Sequence, residues 1–230
     1  MIHTEWKDLE ELCGCTFRDT ELLQKAVTHT SYANEKNAGH AGSNERLEFL
    51  GDAVLELITS EFLWETYPDL PEGDLTRLRA SLVCEPTLAM DAREIGLPSY
   101  LLLGKGEELT GGRQRDSIVS DALEALIGAI YLNGGLEAAR SFVLRTVLND
   151  IEHKRLFSDS KTILQEKLQK KDGEVIRYEL TGESGPDHAR HFTVQVLLGD
   201  EILGEGEGRS KKAAEQQAAY HALVRLKGTD

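Results

Sequence analysis

The sequence predicts an all-α domain followed by a small α+β domain in the order α-β-β-β-α. From Glu21 to about Asp150, apolar residues recur at every third or fourth position, which is the period of amphipathic helices. After Ile151 the pattern changes to a helix, three stretches of alternating residues and a closing helix. A chain of 230 residues is long enough to give each of two small domains its own apolar core.

Glycine and proline clusters divide the first domain. Each cluster interrupts the helical period, because proline removes a backbone donor and glycine weakens a helix. The breaks predict about seven helices in this domain. The clusters are Pro68 and Pro71 with Gly73, Gly96 with Pro98, Gly111 with Gly112, and Gly134 with Gly135.

The second domain is predicted to begin with a helix at residues 158–170 and to end with one at residues 210–226. Between them, strands are predicted at Val175–Leu180, His191–Leu198 and Glu201–Glu207, where alternation and β-favouring residues coincide. We therefore expect domains at residues 1–152 and 158–230, joined by a polar linker at residues 153–157.

Acidic residues are concentrated in the first domain. The net charge is −14 at pH 7, of which residues 1–154 contribute −13 (14 basic, 27 acidic) and residues 155–230 contribute −1 (12 basic, 13 acidic). Such a negative total, taken alone, argues against a partner made of phosphates. The nearly neutral second domain can bind one only where its bases cluster.

The composition predicts a cytoplasmic protein without a membrane partner. The longest apolar run, Ala125 to Leu132, is far too short to span a bilayer, and Met1 to Leu12 is polar and acidic rather than signal-like. Three cysteines cannot all pair, and Cys13 and Cys15 lack the second pair that a zinc site needs. We therefore expect reduced thiols.

Three carboxylates stand in the otherwise apolar segment Asn44 to Leu55 (NERLEFLGDAVL). On a helix, Glu45, Glu48 and Asp52 project from one face, because they are spaced three and four residues apart. Like charges arranged in this way repel one another. The face must therefore meet solvent, a cationic partner or a metal ion.

A second acidic pair, Asp121 and Glu124, lies in the strongly apolar segment Ser117 to Leu132. Ionised carboxylates are tolerated in a buried helix only when they are paired or bind a cation. Oxygen ligands without histidine or cysteine suit Mg²⁺ or Mn²⁺ better than zinc. If the two helices lie side by side, the all-oxygen cluster consists of Glu48, Asp52, Asp121 and Glu124, with Glu45 near it. A solvated helix face is the alternative for either pair alone, and spacing does not decide between them.

Longer motifs add a resemblance. The run NERLEFLGDAVL resembles the signature of bacterial ribonuclease III without a mismatch, and DALEALIGAIYLNGG (121–135) is similar to the second acidic motif of that family. The segments THTSY (28–32) and LGKGEELTGGRQR (103–115) also fit it, and the similarity covers nearly the whole chain. The resemblance implies a catalytic and dimerisation domain at residues 1–152 and a double-stranded RNA-binding domain at residues 158–230.

The resemblance also implies roles for the acids. Glu48, Asp121 and Glu124 match the metal-binding carboxylates of the family, and Asp52 completes the catalytic site, in which Glu124 also acts. Glu45 matches a position at the dimer interface and receives a supporting role. The implied activity is hydrolysis of double-stranded RNA by a homodimer with Mg²⁺, for which Mn²⁺ can substitute. Its implied products have 5′-phosphate and 3′-hydroxyl ends with two-nucleotide 3′ overhangs, and its implied duties are rRNA maturation and mRNA processing and decay.

The second domain resembles a double-stranded RNA-binding domain in three segments, KTILQE (161–166), GPDH (185–188) and GRSKKAAE (208–215). The resemblance implies that the first helix and the loop enter successive minor grooves, while the lysines meet the phosphates between them. Because the major groove of an A-form duplex is deep and narrow, recognition by shape, 2′-hydroxyls and phosphates is expected. The implied RNA-binding residues are Thr162, Gln165, Glu166, His188, Ser210, Lys211 and Lys212.

Several alternatives stay open. Ser210 with Lys211 and Lys212 is also typical of a helix cap with two solvated lysines. Arg113 and Arg115 are either ordinary loop charges or RNA contacts, and His29 is interpreted as a polar structural residue rather than a base. Two other functions are a non-catalytic duplex-RNA binder, which the intact acids disfavour, and a hydrolase of small nucleotides, which leaves the second domain without a role.

Overall fold

The computed structural model describes residues 2–152, 154, 160–168, 175–185, 190–208 and 210–227. The chain divides into two compact units, Met1–Asn149 and Asp150–Asp230. The first is helical, and the second contains in chain order a helix, the three strands of a sheet and a second helix, so the predicted fold class is confirmed. Among the described helices, none has the length and apolar character needed to cross a membrane. Of the predicted linker, only Lys154 is described, and its boundaries stay predictions.

The first unit contains seven α-helices between residues 20 and 146, a range that the structure describes throughout, and this is the predicted number. An eighth helix precedes the segment in which helices were predicted. The helices are α1 (Ile2–Cys13), α2 (Thr20–Ala26), α3 (Thr30–Glu35), α4 (Glu45–Thr66), α5 (Glu72–Leu82), α6 (Glu85–Glu94), α7 (Lys105–Leu109) and α8 (Asp116–Thr146). Short 3-10 turns lie at His40–Gly42, Leu97–Tyr100 and Gly112–Gln114.

The predicted break at Gly134 and Gly135 lies within α8, where two helical segments meet at a kink. Gly135 has φ 78° and ψ −174°, a backbone conformation that is essentially confined to glycine. The 31 residues of α8 therefore comprise two helical segments, one on each side of Gly135.

The core of the first unit is formed where α4 packs against α8. Apolar side chains of both helices are buried there, which follows from their repeat every three or four residues. The buried residues of α4 include Leu47, Val54, Leu55, Ile58 and Leu63, and those of α8 include Val119, Leu123, Leu126, Ile127 and Ile130.

The second unit consists of α9 (Ser160–Leu168), β1 (Ile176–Ser184), β2 (His191–Leu198), β3 (Glu201–Gly208) and α10 (Lys211–Lys227). The strands form an antiparallel sheet in the order β1-β2-β3. Strand β1 is longer than predicted, because its pairing with β2 continues after a register shift between Leu180 and Gly182. The shift interrupts the alternation from which the strand was predicted.

Helix α10 lies close to strand β3, because glycine occupies three alternate positions of that strand. A Cβ added at Gly204, Gly206 or Gly208 would lie 2.5, 2.2 or 2.7 Å from the backbone of α10. The intervening glutamates, Glu205 and Glu207, are exposed. The core between sheet and helices contains Leu164, Leu168, Phe192, Val194, Val196, Leu203, Ala214, Ala218, Ala222 and Leu223.

Candidate functional site

Helix α4 presents its three predicted acids away from the buried core. Glu48 is half-buried, whereas Glu45 and Asp52, in the turns before and after it, are exposed. The opposite side of the helix is buried through Leu47 and Val54. Glu45 and Glu48 also lie in the first turn, where the positive end of the helix dipole favours carboxylates.

Helix α8 carries the second pair, Asp121 and Glu124, and both side chains are half-buried. Their neighbours Ser120, Ala122, Leu123 and the run from Ala125 to Ile130 are buried. These two acids are therefore the partly exposed residues of the otherwise buried segment 118–130 of α8.

Two glycines allow α4 and α8 to cross in direct backbone contact. A Cβ at Gly51 would lie 1.8 Å from the carbonyl oxygen of Glu124, and a Cβ at Gly128 would lie 2.3 Å from the carbonyl oxygen of Leu47. No side chain fits at either position without moving a helix. Because Gly51 is adjacent to Asp52 and lies three residues after Glu48, the crossing brings the acids of both helices together.

The crossing produces an acidic cluster, by which we mean Glu48, Asp121 and Glu124. One carboxylate oxygen of each lies within 4.8 Å of the others. Asp52 is outside this group of three, but its negative charge acts on both Glu48 and Glu124. Glu45 accepts a hydrogen bond from the Ser43 hydroxyl at 3.1 Å, and its charge also acts on Glu48. The structure thus places all five predicted acids in one neighbourhood.

The acids of the cluster resist ionisation. Burial, followed by the charges of Asp121, Glu45 and Asp52, raises the pKa of Glu48 to about 7. Burial and the charges of Asp52, Asp121 and Glu48 raise the pKa of Glu124 to about 8. The pKa of Asp121 is also raised, first by burial and then by the charge of Glu85. Each shift reports that negative charge in this site lacks compensation.

The residues present fit a hard divalent cation. Three half-buried carboxylates offer converging oxygen atoms, and a bound cation would offset the burial and the repulsion that raise the pKa values of Glu48 and Glu124. Mg²⁺ and Mn²⁺ favour such oxygen ligands, whereas zinc favours nitrogen and sulfur. Cys13, Cys15 and Cys84 are free thiols, and none belongs to the cluster of metal-binding groups found among the described residues.

Sequence reasoning missed three residues of this site. Gly51 and Gly128 were not singled out, although an isolated glycine inside a helical pattern is a signal of close backbone approach. Glu85, exposed at the start of α6, was also missed, because its proximity to Asp121 depends on how α6 packs against α8. No local pattern marks it.

Three residues of the first unit whose roles the sequence does not decide, Arg113, Arg115 and His29, make contacts within that unit. Arg113 binds the carboxylate of Glu108 through Nε at 3.0 Å and Nη2 at 2.6 Å. Arg115 Nη1 lies 2.7 Å from Glu107 Oε1. His29 caps α3, with its Nδ1 accepting the backbone N–H of Ser31, and burial lowers its pKa. These contacts favour a structural role for all three.

In the second unit, the predicted RNA-binding residues lie at the surface of two helices. Thr162, Gln165 and Glu166 are exposed on α9, and Lys211 and Lys212 are exposed in the first turn of α10. The Ser210 hydroxyl accepts the backbone N–H of Ala213 at 3.1 Å, as in a helix cap. His188 lies outside the described residues.

Comparisons with known proteins cover both units. A family model described as Ribonuclease-III-like matches residues 19–151, and the double-stranded RNA binding motif matches residues 160–226. Ribonuclease 3 of Pelotomaculum thermopropionicum is 49% identical over 220 residues, covering 94% of this chain and 91% of the relative. Ribonuclease 3 of Caldanaerobacter subterraneus is 49% identical over 221 residues, covering 95% and 96%. The solved nuclease domain of ribonuclease III from Campylobacter jejuni, in a study of its dimer-forming region, is 44% identical with a TM-score of 0.57 and covers 61% of this chain and 94% of that one.

Replacing Gly128 with alanine should disrupt the cluster. The added Cβ would lie 2.3 Å from the carbonyl oxygen of Leu47, so the helices must separate. We expect Mn²⁺ affinity, measured by isothermal titration calorimetry, to fall by at least about tenfold. The free energy of unfolding should also fall by about 1–3 kcal/mol, which is typical of overpacking.

The matched control for this substitution is Gly73→Ala on α5, where an added Cβ meets nothing within 4 Å. It should leave Mn²⁺ affinity unchanged. Wild-type affinity in Gly128→Ala would contradict the role assigned to the crossing.

The raised pKa of Glu124 predicts a pH-dependent stability of the metal-free protein. Its folded pKa of about 8 lies above the ordinary 4.5, so folding becomes less favourable as pH rises between these values. Glu124→Gln removes this penalty. After allowance for solvent screening, we expect its melting temperature to exceed that of the parent by about 2–4 °C above pH 8, with no difference below pH 4.5.

Excess Mg²⁺ should reverse the order of the two melting temperatures, because only the parent retains all ligands. Equal melting temperatures of the two metal-free proteins above pH 8 would show that Glu124 carries no such penalty.

Proposed function

The chain belongs to the ribonuclease III family, and from that premise we propose that it is a Mg²⁺-dependent endonuclease that hydrolyses double-stranded RNA. The observation that carries this proposal is the convergence of Glu48, Asp121 and Glu124 from two helices, in a chain that also has a matched RNA-binding motif. We further propose products with 5′-phosphate and 3′-hydroxyl ends and two-nucleotide 3′ overhangs.

Glu48, Asp121 and Glu124 would hold the cation, since their oxygens already lie within 4.8 Å of one another. When bound, such a cation supplies activation of water near neutral pH and neutralisation of charge on the phosphate and the leaving oxygen. Mn²⁺ can take the place of Mg²⁺ at an all-oxygen site.

Asp52 is assigned to the catalytic centre beside Glu124. It is exposed at the edge of the cluster, where a duplex can approach, and its charge acts on Glu124. From this place its carboxylate can accept a hydrogen bond from the attacking water and orient it. Glu45, exposed two turns earlier on α4, has a supporting role.

The charge of the first unit determines how RNA can approach it. The carboxylates of the cluster repel a phosphate backbone, and protonation of Glu48 and Glu124 near neutral pH relieves this only in part. Approach of the duplex to the acidic cluster is therefore expected to require the cation, whereas binding of the duplex by the second unit does not.

The second unit supplies affinity for the duplex. We assign minor-groove contacts to Thr162, Gln165 and Glu166, and phosphate contacts to Lys211 and Lys212 at the start of α10. Exposure of these five residues on two packed helices supports the assignment. Ser210 and His188 complete the proposed set. Since its net charge is near zero, this unit should bind RNA through clustered bases rather than through its overall field.

We propose that the active form is a homodimer. Large apolar side chains are exposed along α4 at Phe49 (81%), Leu57 (55%) and Trp64 (71%), and Leu132 of α8 adds another (55%). A stripe of this size is unusual for a monomer and marks an interaction surface. A two-fold dimer would also place two clusters at a fixed separation, as staggered cutting of two strands requires.

The cellular roles are proposed from the family alone. They are maturation of ribosomal RNA and processing or decay of messenger RNA in the cytoplasm. The domain roles follow the same basis, with residues 1–152 for catalysis and dimerisation, residues 153–157 as linker, and residues 158–230 for RNA binding.

Glu124→Gln should abolish cleavage while preserving binding. The substitution keeps the shape of the side chain but removes a charged ligand from the cluster. With a long RNA duplex and Mg²⁺, we expect the cleavage rate to fall by at least about a thousandfold, with a dissociation constant close to that of the parent.

The control for the Glu124 substitution is Glu94→Gln at the exposed end of α6, which should cut at the parental rate. An uncut duplex with the parent protein would support a non-catalytic RNA binder instead. If a protein lacking residues 153–230 still hydrolyses small nucleotides, the result would favour a hydrolase of small nucleotides.

Phe49→Gln should convert the dimer to monomers. Because Phe49 is 81% exposed within one chain, its replacement should not disturb the fold of that chain. Sedimentation velocity at low micromolar concentration should give the mass of two chains for the parent and of one chain for the variant. Leu109→Gln, at a residue that is 88% exposed on α7, is the matched control and should stay dimeric. A monomeric parent would refute the dimer, and a dimeric Phe49→Gln would exclude this stripe as its interface.

A further inference from the structure

Lys161, in the first turn of α9, is held by contacts on two other elements of the second unit. Its Nζ lies 2.5 Å from Oε2 of Glu215 on α10 and 4.7 Å from the centroid of the Tyr178 ring on β1. The side chains of Lys161 and Glu215 are 37% and 30% exposed, so the pair is half-buried. An ammonium group held between a carboxylate and an aromatic face has much less freedom than a solvated lysine.

A second polar contact lies beside this pair. The Ser160 hydroxyl donates to the backbone carbonyl of Gln216 at 2.8 Å. Two consecutive residues of α9 therefore bind two consecutive residues of α10: Ser160 binds Gln216, and Lys161 binds Glu215. These two adjacent polar contacts restrict both translation and rotation of α9 relative to α10. The apolar core beneath them fixes the relative position of the two helices less precisely.

The pair lies between the two sets of proposed RNA contacts. Lys161 directly precedes Thr162, the first exposed residue of the α9 face. Glu215 follows Lys211 by four residues and Lys212 by three, so it lies one helical turn from both lysines. The Lys161–Glu215 contact therefore joins the α9 face to the helical turn that carries the lysines.

Glu215 also places a negative charge close to the proposed phosphate contacts. A bare carboxylate there would oppose the phosphates and weaken the field of the two lysines. Pairing with Lys161 at 2.5 Å compensates this charge locally. The neighbouring Tyr178 does not add to the negative charge, because burial and the charge of Glu215 raise its pKa to about 12.

We propose that Lys161 is a positioning residue for RNA binding, which sets α9 against α10 through Glu215 and screens the Glu215 carboxylate from the duplex. The proposal rests on the proposed RNA-binding function of the second unit. It assigns Lys161 and Glu215 no direct contact with RNA. A solvated surface ion pair would have almost no effect on binding, and a purely repulsive Glu215 would improve binding when removed.

The test uses full-length protein carrying Glu124→Gln, so that bound RNA is not cut, with Mg²⁺ and a duplex longer than about 16 base pairs. Three further variants are compared with this parent: Lys161→Met, Glu215→Gln and the double substitution. Dissociation constants are measured by fluorescence anisotropy over a series of salt concentrations, and circular dichroism verifies folding.

Positioning of α9 and screening of the Glu215 carboxylate together predict the order of the variants' affinities for RNA. Glu215→Gln loses positioning only, so its dissociation constant should rise about threefold to fivefold. Lys161→Met loses positioning and exposes the carboxylate, so its rise should be about tenfold or more. The double variant has no carboxylate to expose and should match Glu215→Gln rather than Lys161→Met.

The salt dependence separates positioning from phosphate contact. None of the three variants should change the slope of log dissociation constant against log salt concentration. Lys212→Met, the control, should reduce that slope by about one. With Glu124 restored, Lys161→Met should raise KM with little change in kcat, whereas simple loss of folded enzyme would lower kcat.

Glu215→Gln that binds as tightly as the parent, or more tightly, would overturn the proposal. A reduced salt slope in Lys161→Met would overturn it as well, because Lys161 would then contact phosphate itself. Failure of the parent to bind duplex RNA at all would instead refute the proposed function of the second unit.

Discussion

The site depends on the direct backbone contact between α4 and α8. Carbonyl oxygens of Leu47 and Glu124 occupy the space that side chains would need at Gly128 and Gly51. Ordinary helix packing keeps axes 8–10 Å apart in general, and side chains larger than hydrogen set that distance. With glycine at both positions, acids one or two turns away on each helix converge within 4.8 Å. The apolar packing of the two helices stabilises a charge arrangement that repulsion alone would disperse.

Glycine sets a second close approach in the RNA-binding unit. Gly204, Gly206 and Gly208 let α10 lie on β3, so that the start of α10 has a defined position relative to the sheet. The two units thus share a principle. Backbone contact through small residues establishes the geometry, and charged side chains are then placed at its edge. In the first unit, burial and the neighbouring acids raise the pKa values of Glu48 and Glu124, whereas in the second unit the Glu215 carboxylate is compensated by Lys161.

Much of the fold could be predicted from periodicity, because a helix or strand with one buried side has apolar residues at regular intervals in the sequence. The common face of Glu45, Glu48 and Asp52 follows from spacing alone. Their convergence with Asp121 and Glu124 does not, since spacing along one helix carries no information about its partner. Glu85 illustrates the same limit, and so do Arg113 and Arg115, whose partners on α7 depend on a local loop conformation. The extension of β1 beyond Leu180 was missed because a register shift breaks the alternation.

We propose that acids from both helices bind one divalent cation. The most direct measurement is the anomalous diffraction of crystals grown with Mn²⁺. We expect a manganese peak in the acidic cluster, with oxygen atoms of Glu48 from α4 and of Asp121 and Glu124 from α8 at roughly 2 Å. Absence of a peak at saturating Mn²⁺, or a peak bound by acids of only one helix, would contradict it.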